Sequence, residues 1–321
     1  MRKALLSIFI LTLIFSTTRV YGQQDPQFSQ YMLNYLFNNP AYAGVEGFTK
    51  ITAVHRSQWS GFNTTFDGSG GAPNTQYIGM TTPVQKLRGG VGFFIVNDNL
   101  GPQNNLQMQL SFAYHLAIKE SKLSFGLRTG IYSQSIDAGE YRIIREDDPI
   151  YVQLLNNDSQ VRPDLALGVW FQSEKVFAGV SFNHLLKSEF DFGVAGLRNA
   201  LEEHLVFTAG YNYELNYNLV VTPTVILKSD LNEISIEGGA IGTYDDKYWA
   251  GLSFRQGDAF IAMLGVNLLK DKSLSIGYSF DYVFKGQDAK QPTSHEVLLS
   301  YTLPALVTGG KKIIRTPRFR H

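Results

Sequence analysis

The stretch from 103 to 134 alternates between apolar side chains and small or polar ones with a period of two. From Leu106 to Ile118 the even positions are apolar, and the odd positions are small or polar, including His115. After a polar turn at 119–122 the pattern resumes, with Arg128 on the small and polar side. Successive side chains of a strand point to opposite faces, so this pattern predicts two long strands joined as a hairpin with one apolar face. The solvent that meets this apolar face decides the fold class.

Similar segments recur along the chain, and the sequence predicts fourteen strands of about ten residues. An even number of strands of this length is typical of a transmembrane β-barrel, whose strands each need roughly 9 to 11 residues. No later segment has the length of an uninterrupted membrane helix. Alternation is poorest in the first and tenth strands, where we expect bulges or errors in the strand bounds. The predicted strands are 48–59, 74–84, 89–98, 104–118, 123–137, 162–172, 176–186, 204–215, 219–229, 233–244, 248–256, 259–269, 274–284 and 294–304.

The lengths of the connections test this prediction independently. The even-numbered connections are all short, whereas every long one is odd-numbered, namely 60–73, 138–161, 187–203 and 285–293. Outer-membrane barrels have short periplasmic turns and longer extracellular loops, whereas a soluble sandwich or propeller has no reason to sort its loops in this way. The sequence therefore predicts an all-β, antiparallel transmembrane barrel over 48–304, with both chain ends on the periplasmic side.

The two faces of the predicted strands carry different chemistry. Aromatic residues near strand ends fit the girdles that barrels place at the membrane interfaces. Ionisable residues on the opposite face are expected to point into the lumen, where they pair or meet water, so a filled interior and an open pore both remain possible. The expected girdle residues are Tyr211, Tyr213, Tyr244, Tyr248, Trp249, Tyr282 and Tyr301. The expected lumen residues are Arg128, Glu214, Lys228, Glu237, Arg255, Asp281, His115 and His204.

Three segments outside the predicted barrel have separate roles. Residues 1–22 combine Arg2 and Lys3 with a short apolar run, which predicts a secretory signal peptide. Residues 23–47 are aromatic, helix-like in the middle and not alternating, so we expect them inside the barrel as a plug or across its periplasmic mouth. Residues 305–321 form a basic tail in which the last eleven residues hold five basic side chains and no acidic one.

Composition excludes several function classes. The chain has no cysteine, which rules out disulfides, thiolate metal sites and a cysteine nucleophile. Residues 23–310 hold 20 basic side chains against 28 acidic ones, and a net charge of −8 disfavours nucleic-acid binding.

No catalytic, cofactor or metal site is expected. Ser294 and His295 are adjacent, so a strand would direct them to opposite faces, and the six histidines lack a metal-site spacing. Asp98-Asn99 and Asp147-Asp148 are compatible with calcium binding, but turn formation is the favoured interpretation.

Several short motifs resemble a known family. At the amino-terminal end they are Gln27-Phe28-Ser29-Gln30-Tyr31-Met32, Asn39-Pro40-Ala41-Tyr42-Ala43-Gly44, Arg56-Ser57-Gln58-Trp59 and Gly71-Ala72-Pro73-Asn74-Thr75-Gln76. At the carboxyl-terminal end they are Ser294-His295-Glu296-Val297 and Arg315-Thr316-Pro317-Arg318-Phe319-Arg320. Together they resemble the PorP/SprF family of outer-membrane barrels from the type IX secretion and gliding-motility machinery of Bacteroidota. Residues 60–70 depart from the family pattern as an insertion in a predicted external loop.

The resemblance implies a non-enzymatic barrel in the bacterial outer membrane. Such a barrel helps to export cargo or to hold a secreted adhesin at the surface, and the cargo carries a carboxyl-terminal sorting domain. Its implied partners are that cargo, the periplasmic ring and motor components, and outer-membrane lipids. A passive porin and a transporter of hydrophobic solutes are the alternatives that a barrel of this kind leaves open.

Overall fold

The computed structural model describes residues 25–62, 71–137, 159–192, 199–269, 271–286 and 291–304, and within them the chain forms a fourteen-stranded antiparallel β-barrel. All fourteen predicted strands are confirmed, two of them with the predicted bounds. The strands are β1 (Lys50–Ser57), β2 (Asn74–Val84), β3 (Gly89–Leu100), β4 (Gln103–Ile118), β5 (Ser121–Ile136), β6 (Ser159–Gln172), β7 (Val176–Asn183), β8 (His204–Tyr211 and Tyr213–Asn216), β9 (Leu219–Ser229), β10 (Ile234–Tyr244), β11 (Tyr248–Arg255), β12 (Ala259–Leu268), β13 (Leu274–Val283) and β14 (Thr293–Thr302).

Each strand pairs with the next along the chain, and β1 pairs with β14 to close the barrel. The closing ladder runs from Lys50 opposite Thr302 to Ser57 opposite His295. Closure leaves no row of unpaired backbone groups, which would be costly in hydrocarbon. Glu189–Phe190 and Asn199–Ala200 form a separate two-stranded sheet between β7 and β8. Among the described residues, none of the helices is both long and apolar enough to span a bilayer.

The barrel is apolar outside and polar inside. On β4 and β5, Leu110 is 51% exposed and Leu127 is 46% exposed, whereas the inward-facing Gln109 and Arg128 are 1% and 4% exposed. Exposed large apolar side chains of this kind recur on the outer face of nearly every strand. A continuous apolar outer surface is what a protein needs when hydrocarbon is its solvent.

The connections sort by length between the two ends of the barrel. We call the end with the connections 85–88, 119–120, 173–175, 217–218, 245–247 and 269–273 the turn end, and the opposite end the loop end. The four longest connections all leave from the loop end, as the sequence predicted. By the general rule for such barrels, the turn end is periplasmic and the loop end extracellular.

Two details differ from the sequence prediction. Trp249 was expected in an aromatic girdle, but it points inward and is 5% exposed, while its neighbour Tyr248 is 52% exposed on the outer face. Adjacent strand residues cannot share a face, and Gly265 and Gly277 leave room for the indole, because a Cβ at these positions would lie 2.2 and 2.7 Å from its ring atoms. In β1 and β10 the bounds differ from prediction, at Lys50–Ser57 and Ile234–Tyr244 against 48–59 and 233–244, and their described ladders contain no register shift, so of the two expected causes of poor alternation the structure supports errors in the bounds and not bulges.

Residues 25–47, which we call the inner segment, run through the lumen. They contain short helical turns at Tyr31–Leu33, Tyr35–Asn38 and Pro40–Tyr42, in agreement with the predicted helix-like middle. Asp25 contacts His184 and His204 at the loop end, whereas the Val45 carbonyl accepts a hydrogen bond from Lys122 at the turn end. Residue 25 therefore lies at the end of the barrel opposite to the periplasmic position predicted for the amino-terminal end of the chain.

The predicted signal peptide (1–22) and the whole of the predicted basic tail (305–321) lie outside the described residues, as does the acidic part of the 138–161 loop.

A charge on the outer face is expected to destabilise the barrel according to its depth in the bilayer. Leu127 lies in the middle of the outward apolar run of β5, and Leu123 lies near its turn. Arginine costs about 2–4 kcal/mol at the bilayer midplane and about 0–1 kcal/mol near an interface. We therefore expect Leu127→Arg to lower the free energy of unfolding by about 2–4 kcal/mol, measured by denaturant titration in lipid vesicles. Leu123→Arg is the matched control, and equal losses for the two variants would contradict the assignment of this face to lipid.

Candidate functional site in the barrel lumen

A buried cluster of charges lies on the inner wall at the seam, where β1 pairs with β14 and closes the barrel. We call it the seam cluster. Arg56 on β1 contacts Asp281 on β13 through Nη2 at 2.7 Å and Glu296 on β14 through Nη1 at 3.3 Å. The three side chains are between 0% and 2% exposed. Since Arg56 is opposite Glu296 in the closing ladder, this ion pair bridges the two strands that complete the barrel.

One arginine faces two carboxylates in this cluster, and the inner segment supplies further donors. The backbone N–H groups of Ser29 and Gln30 donate to the two oxygens of Glu296, at 2.8 and 2.9 Å. The Ser29 hydroxyl donates to Asp281 at 2.6 Å and accepts from Arg56. Hydrogen bonds to ionised groups are stronger than neutral ones, so this cluster attaches the inner segment firmly to the wall.

A second attachment lies on the opposite side of the lumen. Arg128 on β5 donates to the Phe37 carbonyl at 2.7 Å and to the Asn183 side-chain oxygen at 2.6 Å. The Asn38 carbonyl accepts from the Ser181 hydroxyl at 2.7 Å. The carbonyls that end the short helix have no partner within it, so the barrel wall satisfies them.

Between these attachments, the inner segment touches the backbone of the wall. The Asn39 amide donates to the carbonyls of Val169 and Val180, at 3.0 and 3.1 Å. A Cβ on Gly168 would lie 2.2 Å from the Asn39 side-chain oxygen, and one on Gly126 would lie 2.2 Å from the Ala41 nitrogen. Glycine is therefore needed at 126 and 168 for this close approach.

At the loop end, Asp25 joins two histidines, His184 directly after β7 and His204 at the start of β8. Its Oδ2 lies 3.0 Å from His184 Nε2 and 3.1 Å from His204 Nδ1. His184 Nδ1 is in turn 3.1 Å from Asp164 Oδ1, and Gln107 donates to Asp25 Oδ1 at 3.1 Å. The two rings meet edge to face, with centroids 5.4 Å apart.

The charges in this loop-end cluster stabilise one another. Burial acts to lower the pKa of His184, but the carboxylates of Asp25 and Asp164 outweigh it and raise the pKa to about 10. For Asp25, burial acts to raise the pKa, but the contacts with His184 and His204 outweigh it and hold the pKa well below its usual value. An ionised carboxylate beside a protonated imidazole therefore fixes the first described residue of the chain.

Most of the predicted lumen residues do face inward. Arg128, Glu237, Arg255, Asp281 and His204 are buried on the inner wall. Arg255 pairs with Glu237 through Nη2 at 2.8 Å, and this ion pair is separate from the hydrogen bonds between the inner segment and the wall described above. His115 faces the lumen near the turn end and lies 2.8 Å from the Ser124 hydroxyl, whereas Glu214 is exposed close to the turn after β8.

Other predicted positions behave as the strand geometry requires. Ser294 is 1% exposed on the inner face, whereas His295 is directed outward, with its Nδ1 2.7 Å from the Tyr278 hydroxyl. Asp98 is buried and accepts a hydrogen bond from Thr75 at 2.6 Å, and Asp147-Asp148 lies outside the described residues.

Sequence reasoning missed the loop-end cluster and the role of Arg56 at the seam. Residues 25, 184 and 204 are far apart in sequence, so no spacing motif links them. One signal was available, because His184 lies near the end of predicted strand seven (176–186) and His204 begins predicted strand eight, and these ends of consecutive antiparallel strands meet at the same edge.

Removing the arginine at the seam is expected to leave two carboxylates buried without their cation. Breaking a buried ion pair on one side costs about 3–5 kcal/mol, so Arg56→Met should lower the free energy of unfolding by about that amount in detergent or vesicles. Lys272→Met is the control, because Lys272 and Asp246 form an exposed pair at 3.6 Å, and such pairs contribute little. If both variants unfolded at the wild-type denaturant concentration, the seam cluster would not stabilise the barrel.

Comparison with solved structures shows the same class of fold. A TodX mutant, described as a monoaromatic hydrocarbon channel, superposes with a TM-score of 0.51 at 11% identity, over 83% of this chain and 93% of that chain. The outer membrane protein Omp33 of Acinetobacter baumannii gives a TM-score of 0.46 at 6% identity, over 80% of this chain and 98% of that one. A FadL homologue from Pseudomonas aeruginosa gives 0.44 at 13% identity, over 83% and 92%. A comparison with curated proteins finds no match.

The sequence itself identifies the family. The profile described as "Type IX secretion system membrane protein PorP/SprF" matches residues 20–301, which is most of the chain and includes the entire barrel apart from the last residue of β14. This match agrees with the motifs singled out above and with the closed fourteen-stranded barrel. The chain is an outer-membrane barrel and belongs to the PorP/SprF family of type IX secretion system membrane proteins.

Proposed function

We propose that this protein is a non-enzymatic component of the type IX secretion system that helps to export cargo, or to anchor a secreted adhesin at the cell surface, without acting as an open pore. The family assignment supports a place in the secretion machinery. The observation that carries the proposal is the inner segment, which occupies the lumen with buried hydrogen bonds to the wall.

Hydrogen bonds connect the inner segment to strands on all sides of the lumen. It bonds to β1, β13 and β14 through the Arg56 cluster, to β5 through Arg128, and to β6 and β7 through Asn39. On the remaining side, the Tyr31 hydroxyl lies 3.0 Å from that of Thr224 on β9. A segment held on all sides acts as a plug in this proposal, since solute passage would require it to leave.

Three cavities that border the inner segment are small. They measure about 10, 20 and 30 Å³, the first near Tyr31 and Arg255, the second near Tyr42 and Thr52, and the third near Asp25 and His204. A cavity of roughly 10–15 Å³ holds one water molecule, so these spaces suit a few waters and not a stream of solute. This argues against the alternative role as a passive porin or a transporter of hydrophobic solutes.

In the proposed mechanism the two ends of the barrel meet different partners. The loop between β5 and β6, which carries Asp137, Glu140, Glu146, Asp147 and Asp148, contacts secreted cargo bearing a carboxyl-terminal sorting domain. The basic tail at 311–321 reaches acidic surfaces of the periplasmic ring and motor components or lipid headgroups. Both functions are binding functions, which is consistent with Ser294 and His295 facing opposite sides of β14.

Conductance separates the plugged barrel from a porin. The purified protein in a planar bilayer should give little or no single-channel current, because the inner segment fills the lumen. Deleting residues 25–47 should open a pore with a stable conductance. Gly168→Val tests the same point without a deletion, because its side chain would collide with Asn39, and Gly242→Val is the control, since the nearest atom to a Cβ there is 3.8 Å away. Steady current from the unmodified protein would favour the porin.

The proposed tail contact is tested by charge. Replacing the five basic residues of the last eleven with glutamine should leave the barrel folded but reduce co-purification of periplasmic ring components from native membranes and lower cargo secretion. Mass spectrometry of the purified complex measures the first effect, and the amount of cargo in the medium measures the second. A variant with the exposed Lys86 and Lys119 replaced by glutamine, at the same end of the barrel, controls for general loss of charge. Unchanged co-purification and secretion in the tail variant would rule out this contact.

A further inference from the structure

We propose that Asp25, His184 and His204 form a binding site for a divalent cation of the Zn²⁺ class at the loop end of the lumen. The site joins the inner segment to the connection between β7 and β8. It concerns binding by the barrel itself, so it does not depend on the role in secretion.

The donor atoms are already gathered at distances that suit one ion. The ligand atoms of the three residues all lie within 4.8 Å of one another, and both nitrogen–oxygen separations are close to 3 Å, at 3.0 and 3.1 Å. A tetrahedral zinc site with bonds of about 2.0–2.2 Å has ligands about 3.3–3.5 Å apart. The nitrogen–oxygen edges therefore need to widen only by a few tenths of an ångström, and the two imidazoles need to close on the ion.

The surrounding groups orient these ligands as they do in metal sites. Asp164 lies 3.1 Å from His184 Nδ1, which leaves Nε2 as the atom directed at Asp25. Asp164 is itself held by the Gln109 amide at 2.8 Å, and Gln107 donates to the other oxygen of Asp25 at 3.1 Å. A histidine ligand whose second nitrogen donates to a carboxylate is the usual arrangement around bound zinc. The ion would take the place of the proton between His184 and Asp25.

The site has room for water. Asp25 and His204 line a cavity of about 30 Å³ whose other walls include Lys228, Asp230 and Glu233, the last two in the connection between β9 and β10 at the loop end. This volume is enough for the one or two waters that would complete the coordination of the ion. Besides Asp25, the lining carries two carboxylates against one lysine, and this negative balance favours a cation.

The donor set selects the class of ion. Two imidazoles and one carboxylate suit Zn²⁺ and neighbouring transition metals, whereas Ca²⁺ and Mg²⁺ require mainly oxygen ligands. Ligands from the inner segment and from the connection between β7 and β8 would let the ion fasten residue 25 to the external end of the barrel.

Titration with zinc tests the site directly. The full mature chain, purified in detergent without a histidine tag and stripped with a chelator, would be titrated with Zn²⁺ by calorimetry, with metal content measured after dialysis. We expect one tightly bound Zn²⁺ per chain and no comparable binding of Mg²⁺. His204→Gln should abolish this binding, and Asp164→Asn should weaken it about 10–100-fold, as outer-sphere changes do.

Two controls keep the result interpretable. His55→Gln removes an exposed histidine on the outer face of β1 and should bind zinc as the unmodified chain does. Far-ultraviolet circular dichroism and retarded migration of the unheated protein in gels establish that each variant is a folded barrel. Absence of zinc binding, or equal binding by folded His204→Gln, would show that the cluster is an ion-free hydrogen-bonded contact. Conductance by the unmodified protein would overturn the plug but leave this site standing.

Discussion

The structure depends on how buried charge is satisfied inside the barrel. At the seam, Arg56, Asp281 and Glu296 are almost fully removed from water, and their side chains carry one positive against two negative charges. An unpaired buried charge costs several kcal/mol, so the second carboxylate needs further donors. Ser29 and Gln30 provide them through backbone N–H groups and a hydroxyl. The wall and the inner segment thus depend on each other electrostatically.

Barrel size explains why an additional piece of chain is needed at all. About eight strands enclose an interior that side chains from the wall can fill, and wider barrels leave space in the middle. With fourteen strands, the wall residues cannot meet one another across the lumen, so the interior must hold either water or more protein. The inner segment brings Tyr31, Tyr35 and Phe37 into this space, and the glycines at 126 and 168 let its backbone approach the wall. In the same way, the absence of side chains at Gly265 and Gly277 leaves room for the large indole of Trp249.

Period-two alternation was sufficient to predict the barrel because the two faces of each strand have different surroundings. One face meets lipid hydrocarbon and the other meets the polar lumen. In β4 and β5 the lipid-facing and lumen-facing residues separate cleanly, and the strand bounds agree with prediction within a few residues. The predictions that failed concern features that alternation does not encode. Trp249 was assigned from its position near a strand end without regard to parity, although Tyr248 beside it already occupied the outer face.

The path of the inner segment through the lumen could not be predicted from the sequence, for a different reason. Its residues are aromatic and not periodic, so they indicate burial but not direction, and nothing local says that Asp25 meets His184 and His204. That contact depends on where the loop ends of β7 and β8 meet, which is a property of the assembled barrel. The seam cluster is similar, since Arg56, Asp281 and Glu296 come from the first and the last two strands and become neighbours only on closure.

The inner segment is attached to the wall both at the loop end and deeper in the lumen. This arrangement determines which of its contacts a partner bound at the external surface can disturb. The seam cluster and Arg128 hold residues 29–38 against the wall, whereas Asp25 is held by His184 and His204 at the external end. A partner that displaced the connection between β7 and β8 would act on residue 25 through His184, which lies in that connection and contacts Asp25. It would not by itself release the seam cluster, whose groups lie on β1, β13 and β14. Binding at the external surface can therefore alter the outer end of the inner segment while the barrel stays closed, and full opening requires the additional loss of buried charge pairs.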